Sequence, residues 1–272
     1  MSRWMAAFGT LILLCATSQA FDPKHLIFKD PSGDDKGPGK YSYPTDAAYK
    51  AGSFDLLELS IHDKGADLEF CARLATKIDD PWNSKSWGGN GFSLQMIQVY
   101  VDTKKGGFLA TLPGINVKFA KGEGWDKVVF LSPQPRAKIL AEVKTKATKM
   151  LGAVVVPRRT SVAGKEIVAL VAKSDLGTPD KSWGFQAVVQ SNEGYAETDS
   201  VLARKVNEYP GQHRFGGGND HDCDPHAIDI LASPAKGGDD EKQTQFKELA
   251  GFTCTASGDG QKATIHMVYP GR

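Results

Sequence analysis

The sequence predicts an all-β protein, a β-sandwich with a few short helices in its loops. Three observations carry that expectation. Apolar residues recur with a period of two along most of the chain past residue 52, the spacing that puts alternate side chains on one face of a strand. The 29 glycines and 14 prolines punctuate it into short segments, as turns between strands require. No long stretch repeats with helical spacing, and Pro157 blocks helical extension through the middle of the chain.

In residues 54–61, Leu57, Leu59 and Ile61 alternate with Glu58 and Ser60. In residues 67–74, Leu68, Phe70, Ala72 and Leu74 share one face, and Glu69, Cys71 and Arg73 the other. Lys64-Gly65 lies between these runs, so they read as a hairpin with one wet face. Residues 93–102 form a longer strand of more buried character. Shorter strands are expected at 116–120, 127–131, 138–143, 166–172, 184–190 and 263–269, and short helices at 147–151 and 243–249. No internal repeat and no long linker divides the chain, so one domain over residues 21–272 is the economical organisation.

The 272 residues carry 33 Lys and Arg against 32 Asp and Glu, with 40% hydrophobic residues. That balance lacks the cationic excess of a dedicated nucleic-acid binder, and the apolar content excludes low-complexity disorder. Residues 1–20 read as a secretory signal peptide. Arg3 is followed by a short apolar stretch from Met5 to Ala16, with small residues before a cleavage point after Ala20. The stretch falls short of the about 20 apolar residues of a membrane span, and Leu14 before Cys15 does not fit lipoprotein processing. The expected destination is periplasmic or secreted.

Export leaves Cys71, Cys223 and Cys254 in an oxidising compartment. Cys223 and Cys254 lie together in the loop-rich C-terminal third and are the expected disulfide, with Cys71 free on its strand.

Two segments concentrate acidic side chains. The run Asp30-Pro-Ser-Gly-Asp-Asp-Lys-Gly-Pro-Gly-Lys-Tyr-Ser-Tyr-Pro-Thr45 places Asp30, Asp34 and Asp35 on a glycine-rich turn. Such a turn can converge hard oxygens on calcium, or it can be a solvated turn whose carboxylates cap backbone N–H groups. The run from Phe215 to Ile230 carries Asp220, Asp222 and Asp224 at alternate positions, another calcium-loop spacing. It is no EF-hand, since Pro225 stands where that loop needs glycine and Leu231 where it needs glutamate. His213, His221, Cys223 and His226 alternatively offer ligands for zinc or copper, and a purely structural turn is the third reading.

Trp82, Trp87, Trp125 and Trp183 lie in or beside loop-like sequence. Flat rings held there can stack on sugar faces, or can simply be core; Trp82, Trp87 and Tyr43 are the stacking candidates. There is no nucleophile elbow, Walker loop or H-E-x-x-H motif, so no enzyme activity is expected.

The Asp30–Thr45 run resembles the opening signature of the C-terminal module of glucodextranase and related secreted amylolytic proteins. Further matches keep the order of that family: Gly52-Ser-Phe-Asp-Leu56, Asn90-Gly-Phe-Ser-Leu-Gln95 leading to Val99-Tyr-Val-Asp102, Leu112-Pro-Gly-Ile-Asn116 and Gly124-Trp-Asp126. Phe215-Gly-Gly-Gly218 with Asp224-Pro225 and Ile228-Asp229, and Met267-Val-Tyr-Pro270, complete the series. The resemblance implies a β-sandwich similar to family 9 carbohydrate-binding modules and to haem- or sugar-binding DOMON domains. It also implies a module that follows a separate catalytic part and binds carbohydrate or cell-surface polymer. The three mature cysteines and His221 are departures from the pattern, and no glucodextranase activity is inherited without the catalytic part.

The leading expectation is therefore an exported, non-catalytic binder of carbohydrate or cell-envelope polysaccharide, braced by calcium. An alternative is an electron-transfer protein holding haem b with Met96 or His62 as axial ligand. Another is a scaffolding subunit with an exported protein partner.

Overall fold

The computed structural model describes residues 21–219, 223–233, 240–255 and 260–270; residues 1–20, expected as a signal peptide, lie outside them with Asp220, His221 and Asp222. In chain order the strands are β1 (His25–Lys29), β2 (Leu56–Lys64), β3 (Asp67–Leu74), β4 (Gln95–Asp102), β5 (Val117–Phe119) and β6 (Lys127–Leu131). They continue with β7 (Val154–Val155), β8 (Arg159–Ala163), β9 (Glu166–Ala172), β10 (Gly184–Ser191), β11 (Asp229–Ile230) and β12 (Ala263–Ile265). The helices are α1 (Arg136–Lys146), α2 (Lys173–Leu176) and α3 (Glu241–Ala250).

The expected hairpin is β2–β3, with Lys64 opposite Asp67, and Asp63 Oδ1 accepting the Gly65 N–H at 2.8 Å to fix the turn. Its inner face carries Leu59, Ile61, Leu68, Phe70, Ala72 and Leu74, all buried. One residue departs from the alternation. The register shifts between Leu56 and Glu58, so Leu56 rather than Leu57 enters the core. A bulge inserts one residue and moves every side chain before it to the other face.

The first sheet has the order β1-β2-β3-β9-β8, and the second β11-β10-β4-β6-β7. Their facing surfaces enclose one core: Leu59, Ile61, Phe70 and Val171 from the first meet Ile97, Val99, Phe185 and Val189 from the second. A second core lies on the far side of the second sheet. There Met96, Tyr100, Phe130 and Val188 pack against Ile139 and Val143 of α1, Leu249 of α3, and the small parallel pair β5–β12. The second sheet is thus covered on both faces, and every residue of β4 and β10 is buried. Trp125 and Trp183 are core residues, one in each cluster.

Several expected elements change type or length. Residues 138–143 were expected as a strand and belong to α1. Ile139 and Val143 are its buried pair, an i, i+4 spacing that alternation with Ala141 mimics over so short a window. The helix expected at 147–151 is a 3-10 segment, Thr148–Ala153, rather than an α-helix. The last strand stops at Ile265, beyond which Val268 bridges Phe185. Strands β1 and β8 form the edges of the first sheet and were not expected, being short and lacking a clean alternation.

Cys223 and Cys254 are joined in a disulfide, with their Cα atoms 5.6 Å apart. The bond ties the segment before β11 to the chain after α3, and Cys71 remains a half-buried free thiol.

Candidate functional site

One end of the sandwich collects the strand termini that matter: the antiparallel registers group the C-terminal ends of β1 and β3 with the start of β2, and those of β6 and β10 with the start of β4, and Gln95 joins the two groups by donating to the Ser53 carbonyl at 2.9 Å. A cleft of about 400 Å³ opens there, lined by Trp82, Trp87, Gln134, Lys138, Asn192 and Tyr195 among others. Trp87 is 42% exposed and Tyr195 94% exposed, so both rings present apolar faces to solvent.

The walls are built to hold these rings still. Trp87 ends a single 3-10 turn, Ser84–Trp87, whose start is fixed by Asp80 accepting the Ser84 N–H at 2.9 Å and its hydroxyl at 3.0 Å. Trp82 leans edge-on against Tyr49 and His213, and the Arg204 guanidinium lies 5.6 Å from its ring centre. Arg204 is itself held by Glu193 at 3.1 Å, the Tyr49 hydroxyl at 2.8 Å and the His213 carbonyl at 2.9 Å. On the floor, Gln134 donates to Asn192 Oδ1 at 3.3 Å, and Asn192 donates to the Ser93 carbonyl at 3.2 Å. The third wall is a loop after β10. Lys138 of α1 donates to the Gly194 carbonyl and sits 4.9 Å above the Tyr195 ring.

Apolar rings around a few fixed polar groups suit a ligand with both a flat apolar face and a rim of hydroxyls. Trp82 and Trp87 are thus brought together. Tyr43, expected as a third stacking ring, instead packs on Phe54 and Phe215, with centroids 6.0 and 4.8 Å away, and donates its hydroxyl to Asp35. The cleft's third ring is Tyr195, which sequence reading passed over because nothing local distinguishes it from any loop tyrosine.

The acidic motif folds into a buried carboxylate cluster. Asp30 follows β1, Asp34 sits in the glycine-rich turn and Asp229 belongs to β11; one oxygen from each lies within 4.8 Å of the others, and all three side chains are buried. The turn needs its glycines. A Cβ on Gly37, at φ +54°, would lie 2.3 Å from the Tyr41 ring, and one on Gly39, at φ +90°, would press on Phe246 of α3 at 3.2 Å. Asp55 and Glu241 border the cluster. Asp55 Oδ2 accepts the Gly33 N–H at 2.9 Å and the Ser32 hydroxyl at 3.0 Å. Glu241 accepts the Ala232 N–H at 2.7 Å. Burial, reinforced by the neighbouring carboxylates, pushes Asp30 and Asp229 well above the usual carboxylate range and Asp34 up to about 8.

Of the other expected ligands, Asp35 is taken by Tyr43. Asp224 is buried against Tyr41, whose hydroxyl reaches its Oδ2 at 3.3 Å. His226 Nδ1 accepts the Val206 N–H at 3.2 Å. Cys223 is consumed by the disulfide, which removes it from the zinc or copper set. Asp229 and Glu241 escaped sequence reading. The available signal was an aspartate between Ile228 and Ile230, since a charge inside an apolar strand needs a partner.

The two haem-ligand candidates lie on opposite outer faces of the sandwich. Met96 belongs to the core beyond the second sheet. His62 lies on the outer face of the first sheet, where its ring meets that of His25 across the β1–β2 pair.

Two facing sheets with an aromatic-walled cleft in the loops at one end have the form of a β-sandwich binding module. Residues 26–267 match the family described as the C-terminal, SLH-like binding module of glucodextranase, and the chain belongs to that family. No curated protein matches the chain. No helix among the described residues is long and apolar enough to cross a membrane.

Proposed function

We propose that the protein is an exported, non-catalytic module that binds carbohydrate or cell-envelope polysaccharide in the Trp82–Trp87 cleft, with calcium bracing the adjoining loops. The observation that carries this reading is the convergence of two tryptophans and Tyr195 on one cleft with Gln134 and Asn192 at its floor. Sugar rings present an apolar C–H face to stack on such side chains, and their hydroxyls satisfy the amides. Family membership supports binding as the role, and the signal-like residues 1–20 support export.

The test is a pull-down and titration of the mature protein, calcium present, against soluble oligosaccharides and insoluble glycans. Binding is expected, and Trp87→Ala is expected to weaken it at least about tenfold, roughly 1.4 kcal/mol, while changing stability by less than about 0.5 kcal/mol because the ring is exposed. Failure to bind any glycan sinks the reading.

A further inference from the structure

The geometry points to a calcium site formed by Asp30, Asp34, Asp229 and Glu241, which staples the glycine-rich motif to the second sheet and to helix α3. This names the ligands of the calcium brace proposed above and rests on that part of the reading, not on what the cleft binds.

The acceptors are open and aimed. Among the described residues, no donor reaches either carboxylate oxygen of Asp30 or Asp34, Oδ1 of Asp229 or Oε2 of Glu241. The second oxygens of the latter two are held, Asp229 Oδ2 by the Leu56 N–H and Glu241 Oε1 by the Ala232 N–H, both at 2.7 Å. Each free oxygen is therefore oriented by its anchored twin. Two open oxygens each from Asp30 and Asp34 with one each from Asp229 and Glu241 reach the lower end of the about six to eight that calcium takes. Asp55 Oδ1, also buried and without a donor among the described residues, stands in reserve beside them.

Charge demands the same occupant. Among the described residues, no lysine or arginine forms an ion pair with any of the four carboxylates, and the nearby Lys242 ammonium is engaged by the Gly33 carbonyl at 2.6 Å. Four carboxylates with buried oxygens near a single ammonium, with no ion pair among them, are costly, and a divalent cation removes that cost. The donor set is oxygen only, which disfavours zinc and copper. It comes from protein groups in a buried cage, which suits calcium over the water-retaining magnesium ion.

The experiment measures metal content and thermal stability of the full mature chain, chelated and then titrated with calcium or magnesium. One calcium per chain is expected, with the melting temperature rising about 5 °C or more at a hundredfold excess over Kd, and a smaller response to magnesium. Asp34→Asn and Asp229→Asn, which keep shape and remove charge, are expected to weaken calcium binding about a hundredfold or more. The chelated variants should melt at or above the chelated parent, because each relieves repulsion. An unchanged melting temperature on adding calcium, or unaltered calcium binding in both variants, overturns the site. Glycan binding by a calcium-indifferent protein would overturn this site alone, whereas calcium binding without glycan binding would overturn the cleft reading alone.

Discussion

Trp82 and Trp87 show how residues five apart divide one task. Trp87 faces solvent, whereas Trp82 packs partly on the core and carries Arg204 against its face. Trp82→Ala is therefore expected to weaken glycan binding, as is Trp87→Ala, and also to cost about 2 kcal/mol of stability through lost packing. Chemical denaturation of the two variants separates the effects; equal stability loss in both would contradict the division. Glu248 supplies a residue-scale pH effect. Burial raises its carboxyl to about 7, with Glu123 and Glu241 adding to the rise and His266 opposing it. The fold thus holds that proton more tightly than the unfolded chain does between the ordinary glutamate range and pH 7. Stability attributable to this group is full below that window and is lost as pH rises through it, by up to about 3 kcal/mol. Glu248→Gln keeps an acceptor for the His266 N–H and should flatten the fall in melting temperature between pH 5 and 7.

At the scale of elements, α1 positions the cleft from behind. Lys146 in its last turn donates to the carbonyls of Ala196, Glu197 and Ser200 at 3.0, 2.6 and 2.8 Å, and pairs with Glu142 one turn earlier at 2.6 Å. One ammonium thereby pins the loop that carries Tyr195, while Lys138 holds its other end at Gly194. Lys146→Met keeps the apolar stem and deletes the donor, leaving three carbonyls to find water. A loss of about 2 kcal/mol is expected, with a several-fold drop in glycan affinity that adding calcium does not restore. Titration at saturating calcium checks it; wild-type affinity would mean the loop is positioned by other contacts.

The whole molecule is a layered body in which one sheet serves two cores. Strands β4 and β10 lie at its centre, buried on both faces, while β8 is an edge strand with no buried residue. The two-residue strands β7 and β11 end the second sheet, leaving short edges for another chain to pair with. Hydrogen exchange should be slowest in β4 and β10 and fastest, among the longer strands, in β8. Equal protection of β8 and β10 would mean that the outer sheet is covered by a partner.

The sequence alone determined what depends on neighbours along the chain. The β2–β3 hairpin, the limits of β6 and β9, helix α3, the Cys223–Cys254 pair and the acidic, glycine-rich turn are all legible there. In each, strand period, turn chemistry or cysteine placement acts over a few residues or leaves few alternatives. The α1 segment is ambiguous in sequence because Ile139, Ala141 and Val143 satisfy period two as well as Ile139 and Val143 satisfy a helix. Only the second core, waiting for that face, chooses between them. Tertiary structure alone decided that Asp30 and Asp34 meet Asp229 and Glu241, and that Trp82 and Trp87 meet Asn192 and Tyr195. These partners are separated by about a hundred residues or more, and no local pattern encodes their meeting. Their positions follow from strand order and register, which are set by how the whole set of apolar faces can be buried at once.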